Sequence, residues 1–470
     1  MKVETRSIEF VPVDERHGKA RDLFPVWFGA QMHITTLVTG ALCISFGLNL
    51  FWSVVAIVVG NLLGALFMAS HSAQGPKLGI PQMIQSRAQF GVIGAIIPLL
   101  IVIFMYLGFF ASSGLFGAQT LASAFNLDLT WSIILLNGVT FLITLYGHDI
   151  IHKMQKYLSW LFFIVFLIAT IMVFQLPLPA GSWSPGSLNL SAFMLSVAVV
   201  ATWQLSFAPY VADYSRYLPV KTSMAKTFWY TYAGSVSGTI WMMGLGVILT
   251  VAIPGYLDQA GANFAKMFGS LALFMYLVLV AGQLSINVFN LYGAFMSLTT
   301  TIEPFFQLKV TAKVRFTLML LVTVIGTAIE IGGQGNFLKL FVNFILFISY
   351  FLIPWTAINL VDYYLLRRGE YSVKDIFDRN GKYGAVNWIT AMAYTVSVIV
   401  EIPFINTSFY VGPVAAALDG ADIAWILGLI VPSVLYYYPM KRKIKREQQA
   451  QQQQPAQSVQ EPGFDDAIAK

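Results

Sequence analysis

The chain has 470 residues, of which 57% are hydrophobic and 11% are charged, and its mean hydropathy is +0.70. Soluble domains carry about 25% charged residues, so this composition excludes a soluble globular protein and predicts an integral membrane protein. The net charge of +6 requires no nucleic-acid partner, because basic residues can face anionic lipid at the inner leaflet. The single cysteine, Cys43, excludes a disulfide framework and a cysteine-based metal site.

Apolar segments long enough to cross a bilayer recur along nearly the whole chain, and each crossing needs roughly 20 residues. We predict an all-α polytopic protein with membrane helices near 24–49, 51–72, 92–124, 131–147, 157–177, 192–213, 228–253, 268–299, 316–331, 337–364, 384–403 and 421–440. Of the 28 Lys and Arg residues, only Lys266 and Lys339 then fall at outer ends or loops. The positive-inside rule therefore predicts a multi-pass protein of the cytoplasmic membrane with both termini in the cytoplasm.

The two ends of the chain differ in composition from the membrane domain, which we place at residues 23–440. Residues 1–22 are charged and predict a solvated cytosolic arm without a cleavable signal peptide. Residues 441–470 are rich in glutamine and contain two prolines, which predicts a disordered cytosolic tail.

Two membrane helices are interrupted by polar and small residues. The first contains FGAQMHITT at 28–36, and the sixth contains TWQLSFAPYVADYSRY at 202–217. Irregular backbone at membrane depth occurs only where it is buried in protein or lines a cavity. The interruptions fall at matching places in two halves, about 24–177 and 192–364. This spacing predicts a five-plus-five inverted repeat with a site at the membrane midplane, followed by two extra helices over about 384–440.

Helices three and eight carry further candidates for that site. Tyr106, Phe109 and Ser113 share one helix face, although small-residue helix packing would explain the same pattern. The amides of Gln283, Asn287 and Asn290 form a stripe on helix eight. We expect these amides either to bind a polar ligand or to join helices, and we favour ligand contact for Asn287.

Several titratable residues have two interpretations. Asp213 and Arg216 lie one turn apart where helix six ends. They form either an interfacial salt bridge or a pair that gates the pathway or carries a proton. His33 is either a structural histidine or a proton carrier. His148 and His152 have the spacing of a helical metal pair, but no third ligand is evident, so a polar turn is favoured over a metal site. No catalytic constellation is visible, which predicts that the chain is not an enzyme.

Three segments of the chain carry a family resemblance: SIEFVPVDERHGK at 7–19, SAQGPKLGIPQMIQSRAQFG at 72–91 and SFAPYVADYSRYLP at 206–219. From about residue 5 to 440, the sequence resembles the purine–cytosine permease branch of the nucleobase:cation symporter-1 family. The resemblance implies the fold of sodium-coupled amino-acid symporters and uptake of nucleobases with Na⁺ or H⁺.

The resemblance also implies positions for the site. The aromatic residue of helix three matches Phe109, that of helix six falls at Trp203 or Gln204, and the amide of helix eight matches Asn287. The residues that we expect at the substrate are Gln31, Tyr106, Phe109, Ser113, Trp203, Gln204, Phe207, Gln283 and Asn287.

The family's cation site uses carbonyls of helix one and hydroxyls of helix eight. The matching helix-eight positions here are Ala281 and Gly282, with Ser285 nearby. This departure weighs against a standard sodium site and strengthens the case for proton coupling, so that both H⁺ and Na⁺ stay open as the coupling ion. The candidate ion-coupling residues are His33, Thr36, Ser285 and Asp213.

The sequence thus predicts a symporter that imports purine bases or cytosine, with a nucleobase and membrane lipid as partners. It predicts no cofactor besides the coupling ion, no nucleic-acid partner and no obligate protein partner. Two alternatives remain: a symporter of another heterocycle, such as a pyridine vitamin, a hydantoin or a thiamine precursor, and a non-transporting sensor with the same fold.

Overall fold

The computed structural model describes residues 8–145, 148–306 and 310–453, and in these ranges the regular structure is helical apart from one isolated bridge. The α-helices are α1 Leu23–Gly29, α2 Ile34–Ser45, α3 Leu50–Ser72, α4 Gly75–Leu78, α5 Gln82–Gln85, α6 Arg87–Phe90, α7 Ile96–Phe125, α8 Leu129–Leu145, α9 His148–Val173, α10 Leu190–Leu205, α11 Ala208–Ser215, α12 Met224–Ala252, α13 Ala260–Lys266, α14 Ala272–Phe306, α15 Ala312–Gly333, α16 Phe337–Leu360, α17 Val373–Phe377, α18 Trp388–Glu401, α19 Pro413–Ala417 and α20 Ala424–Gln453. A π-helical turn, Val361–Leu366, extends α16.

The long helices lie where the hydropathy pattern predicts them. Within the described residues, six helical stretches are long and apolar enough to cross a membrane, and one of these, Ala312–Leu366, contains both α15 and α16. Four shorter apolar helices bring the crossings in the described residues to eleven, and α20 lies at the twelfth predicted position. With α1 and α2 forming the first crossing, and α10 and α11 the sixth, the arrangement is consistent with the twelve predicted crossings.

Both predicted interruptions are real breaks in the helices. Between α1 and α2 the chain leaves the helical conformation, and His33 is extended with φ −150° and ψ 164°. Between α10 and α11 the break is tighter, and Pro209 occupies the first turn of α11. Proline is tolerated in a first helical turn but cannot continue a hydrogen-bonded ladder from the preceding helix. The sequence therefore sets the second break through proline.

The helices group into two units and a flank. The first unit contains α1, α2, α3, α10, α11 and α12, whereas the second contains α7, α8, α14 and α15. Packing within each unit is extensive, and a Cβ at Gly64 of α3 would collide with the backbone of Ala201 on α10. Contacts between the units are sparser. Helices α16, α18 and α20 pack together on the flank.

The N-terminal arm differs from the solvated segment that its charge predicts. Val11 donates its backbone N–H to Gly79 O at 2.9 Å, and His17 donates to Tyr217 O at 2.7 Å. Arg16 is only 7% exposed and donates from Nη1 to Pro76 O at 2.7 Å. The described part of the arm, from residue 8, is therefore docked against the loop after α3 and the end of α11.

The opposite end of the chain also departs from expectation. Helix α20 continues to Gln453, so residues 441–453 are helical where disorder was expected. Residues 454–470 lie outside the described residues. Helix α9 begins at His148. The side chains of His148 and His152 lie outside the described part of the chain, so the choice against a metal pair there stays a prediction.

Candidate functional site

A cavity lies where the two helix breaks meet the second unit. It contains about 280 Å³ of space between atoms and is lined by His33, Phe109, Ser113, Trp203, Ser206, Phe207, Tyr210, Ile286 and Asn290. The first break supplies His33, and the second supplies Trp203, Ser206, Phe207 and Tyr210. Helices α7 and α14 supply the remaining residues. We call it the central cavity. Of the predicted substrate residues, it brings together Phe109, Ser113, Trp203 and Phe207.

Aromatic rings form the apolar walls of the central cavity. The rings of Phe109 and Trp203 meet edge to face, with centroids 5.8 Å apart and an interplanar angle of 89°. Trp203 and Phe207 meet in the same way at 6.1 Å. Behind Phe109, the ring of Phe344 on α16 lies 5.0 Å away. Edge-to-face geometry is a favoured arrangement of aromatic pairs, so these walls hold one another in place.

The polar groups of the central cavity are neutral hydroxyls, an amide and an imidazole. Ser206 donates its hydroxyl to Trp203 O at 2.7 Å. Asn290 donates from Nδ2 to Asn287 Oδ1 at 3.4 Å. His33 Nε2 lies 3.3 Å from Thr36 Oγ1, so Thr36 contacts the imidazole but is absent from the cavity wall.

Helix α14 presents a different amide to the cavity from the one favoured by the sequence. Asn290 lines the central cavity, while Asn287 donates from Nδ2 to Phe110 O on α7 at 3.1 Å. The two amides are three residues apart on one stripe. Spacing alone could not distinguish them, because both stripe positions are buried.

The two candidate residues on helix six, Trp203 and Gln204, face in different directions. Trp203 lines the central cavity. Gln204 points away from it and donates from Nε2 to Asn61 Oδ1 at 2.8 Å and to Thr239 Oγ1 at 2.9 Å. Its Oε1 accepts a hydrogen bond from Ser235 at 2.6 Å. Gln204 therefore joins helices of the first unit.

Gln31 and Gln283 lie behind the cavity wall. Gln31 accepts a hydrogen bond from the indole Nε1 of Trp203 at 2.9 Å and donates to Ser235 Oγ at 3.3 Å. Gln283 donates to Thr35 Oγ1 at 2.9 Å and to Ser113 O at 3.1 Å. Because Thr35 belongs to the first unit and Gln283 to the second, this bond connects the units. Both glutamines thus position wall residues.

A smaller cavity adjoins the central one at the first break. It contains about 200 Å³ between atoms and is lined by Gly29, Ala30, Met32, His33, Phe162, Gly282, Ser285, Ile286 and Phe289. We call it the side cavity. His33 and Ile286 line both cavities, and Ser285 lines the side cavity. Within the described residues no group of three His, Cys, Asp or Glu side chains could hold a metal ion.

A third cavity contains Tyr106 and Asp213. It holds about 490 Å³ between atoms and is lined by Tyr106, Tyr210, Asp213, Tyr214, Arg216, Tyr217, Phe289, Tyr292, Gly293 and Met296. We call it the tyrosine cavity. Asp213 Oδ1 accepts a hydrogen bond from the backbone N–H of Gln82 at 2.7 Å, and Arg216 donates to Glu9 O at 3.3 Å. Tyr106 thus lies one turn away from the central cavity.

Comparison with known proteins places this arrangement among membrane permeases. Residues 10–428 match the family model described as "Permease for cytosine/purines, uracil, thiamine, allantoin". YxlA of Bacillus subtilis, named as a candidate purine-cytosine permease, is 63% identical over 95% of this chain and 98% of its own. The purine-cytosine permease fcyB of Emericella nidulans is 28% identical over 93% and 88% of the two chains.

Among solved structures, the chain is similar to Mhp1, a nucleobase-cation-symport-1 family transporter in a closed conformation with bromovinylhydantoin bound. The TM-score is 0.76 with 17% identity, over 94% of this chain and 96% of Mhp1. At this identity the likeness establishes the fold alone. That fold is the predicted one, two repeats of five helices with two helices added.

Proposed function

This chain belongs to the family of permeases for cytosine, purines, uracil, thiamine and allantoin, and we propose that it imports purine bases or cytosine across the cytoplasmic membrane by cation symport. The observation that supports this most directly is the central cavity, which lies at both helix breaks and is lined by residues of both predicted repeats. Secondary transporters of this architecture bind their substrates at the interface between repeats. The names of YxlA and fcyB support the choice of substrate.

The lining of the central cavity suits a flat, neutral heterocycle. A base that stacks on one of the perpendicular rings of Phe109 and Trp203 meets the edge of the other. Stacking on an aromatic side chain contributes about 1–3 kcal/mol per base with little selectivity. An amide carries both donors and an acceptor, so Asn290 can read the edge of the ring. A buried polar group left unpaired costs about 1–3 kcal/mol, which disfavours a base with the wrong edge.

Alternating access follows from the division into units. The wall residues from the two breaks belong to the first unit, whereas Phe109, Ser113 and Asn290 belong to the second. Rocking of one unit against the other would open the central cavity to each side in turn. The hydrogen bonds from Gln283 to Thr35 and Ser113 cross or border this interface, and they would have to adapt during the movement.

We place the coupling cation, H⁺ or Na⁺, at the side cavity. The C-terminal end of a broken half-helix and unwound carbonyls are the groups that coordinate cations in such transporters, and α1 ends here at Gly29 and Ala30. Ser285 adds a hydroxyl and His33 an imidazole. Because His33 also lines the central cavity, a cation bound here would lie beside the substrate, which is the arrangement that coupling requires.

The direction of transport rests on topology. The uneven distribution of Lys and Arg favours both termini in the cytoplasm. With this orientation α7 enters from the cytosolic side, so that the tyrosine cavity lies between the central cavity and the cytosol. The basic residues of α20 after Met440 would then face anionic lipid.

Uptake by purified protein in liposomes tests the proposal. Labelled adenine, guanine, hypoxanthine and cytosine are offered with an inward pH gradient in sodium-free buffer, or with an inward Na⁺ gradient at constant pH. We expect accumulation of at least one base under one gradient and none after the gradient is collapsed. No accumulation of any of these bases under either gradient would contradict the proposal.

Other heterocycles serve as competitors in the same assay. Relatives more distant than YxlA are named as vitamin B6 and allantoin transporters, and Mhp1 holds a hydantoin. Because these proteins are less similar to this chain than YxlA is, we expect pyridoxine, allantoin and a hydantoin to compete weakly or not at all. A thermal-shift series with all of these compounds provides a second readout, since a ligand stabilises the protein by mass action.

A further inference from the structure

The tyrosine cavity continues the central cavity along the same helices. The two share Tyr210. On α7, Tyr106 precedes Phe109 by one turn, and on α14, Phe289 follows Ile286 by one turn. The tyrosine cavity is also the larger of the two, with about 490 Å³ between its atoms against about 280 Å³. The two cavities are therefore successive compartments between the same pair of units.

Aromatic rings from both units face one another in the tyrosine cavity. Six of its ten lining residues are aromatic. The rings of Tyr106 and Tyr210 are tilted with centroids 5.4 Å apart, and those of Tyr214 and Phe289 are 5.9 Å apart. A Cβ at Gly293 would collide with the ring of Tyr106, so this glycine lets the ring lie against α14. The walls thus offer aromatic surfaces from opposite sides.

Besides tyrosine hydroxyls, this cavity contains an acidic and a basic side chain, which the central cavity lacks. Asp213 and Arg216 follow each other by one turn at the end of α11 and both line the cavity. A guanidinium donates to ring-nitrogen and carbonyl acceptors of a base, and a carboxylate accepts from amino groups. Arg216 also donates to Glu9 O of the docked arm and to the hydroxyl of Tyr217, which orients it at the cavity's edge.

We propose that the tyrosine cavity is a second binding site for the transported heterocycle, which the base occupies after leaving the central cavity. The inference rests on the proposed function and on its inward direction. Every base has a stackable face, so the aromatic walls accept whatever the central cavity has selected. Asp213 then accepts hydrogen bonds from donors on the ring edge, and Arg216 donates to its acceptors. Selection and release are in this way assigned to different compartments.

Cysteine protection separates the two sites, because the chain has a single cysteine. Cys43 is buried and lines none of the three cavities, so C43S provides a thiol-free background. In that background, M296C places a thiol in the tyrosine cavity and S206C places one in the central cavity. Inside-out vesicles are treated with a membrane-impermeant thiol reagent, with and without a saturating concentration of the base that accumulates best in liposomes.

We expect the base to slow modification of both thiols severalfold. Adding Asn290→Ala should abolish protection at position 206 and preserve it at position 296. Adding Asp213→Asn together with Tyr214→Leu should abolish protection at position 296 and preserve it at position 206. If Asn290→Ala abolishes protection at both positions, the tyrosine cavity has no site of its own and the inference is overturned. A base that protects neither thiol and does not accumulate would instead contradict the proposed function.

A binding measurement on the unmodified protein guards against variants that fail to fold. Equilibrium dialysis of the labelled base against purified wild-type protein should give two bound molecules per chain. A stoichiometry of one at saturation would overturn the inference, even if gradient-driven uptake is intact.

Discussion

The two helix breaks occupy matching places in the two halves of the chain but have different roles. At the first break, Gln31 turns towards its own unit and bonds to Trp203 and Ser235. At the second break, Trp203, Ser206 and Phe207 turn towards the central cavity. At the central cavity, the first break therefore contributes His33 and supports the wall from behind, whereas the second break forms the aromatic wall itself.

The comparison also shows how the two breaks depend on each other. The indole N–H of Trp203 is buried, and its acceptor is the side-chain amide oxygen Oε1 of Gln31. A buried donor without a partner costs more than a typical hydrogen bond contributes. The position of the ring on the second break is thus fixed by a side chain on the first.

Removing the wall should have the largest effect. Trp203→Ala removes the aromatic surface against which a base would stack, a loss of about 1–3 kcal/mol. With about 1.4 kcal/mol for each tenfold change, we expect kcat/KM for uptake to fall by about fivefold to about 150-fold. Trp203→Phe keeps a ring and should lose less. An unchanged KM in the alanine variant would show that the second break does not bind substrate.

Removing the support should have a smaller effect on the same parameter. Gln31→Leu leaves the indole N–H of Trp203 unpaired, and we expect kcat/KM to fall by about tenfold, corresponding to about 1.4 kcal/mol. The double variant with Trp203→Phe is the control. Since phenylalanine has no N–H to support, the two substitutions should be less than additive. Full additivity would mean that Gln31 acts independently of Trp203.

The two amides of α14 extend the comparison to the second unit. Asn290→Ala removes a polar group from the central cavity, and we expect KM to rise about fivefold, or about 1 kcal/mol, with little change in Tm. Asn287→Ala removes the bond to Phe110 O and should mainly lower Tm. Both are measured by uptake kinetics and by thermal unfolding of the purified protein. A raised KM in Asn287→Ala and a lowered Tm in Asn290→Ala would assign ligand contact to Asn287 instead.

Gln204 should affect activity least. Its amide bonds to Asn61, Thr239 and Ser235 within the first unit, so Gln204→Leu leaves buried partners unsatisfied at about 1–3 kcal/mol. We expect a lower Tm, measured by thermal unfolding, with a KM close to wild type in the protein that remains folded. A marked rise in KM at unchanged Tm would place Gln204 at the substrate.

Hydropathy and proline were sufficient to predict the helices and the position of both breaks, because lipid imposes strong constraints on backbone. They could not decide between Trp203 and Gln204, or between Asn287 and Asn290. In a bundle of many helices a polar residue can face a ligand or a neighbouring helix, and both environments are buried. Only the positions of partners such as Asn61 and Phe110 distinguish the two cases.

The N-terminal arm shows a second limit. Its charge indicated a solvated segment, but Arg16 is buried against backbone carbonyls of Val11 and Pro76. The carbonyl of Pro76 in α4 leaves no signature in the sequence of the arm itself. Docking of this kind depends on a distant loop, which a reading of local composition does not include.

The docked arm constrains the order in which the protein is assembled during translation. The arm leaves the ribosome first, but its binding surface includes Gly79 and Tyr217, which are synthesised later. Because chains form from the N-terminus onward, the arm must wait undocked until helix six has been inserted.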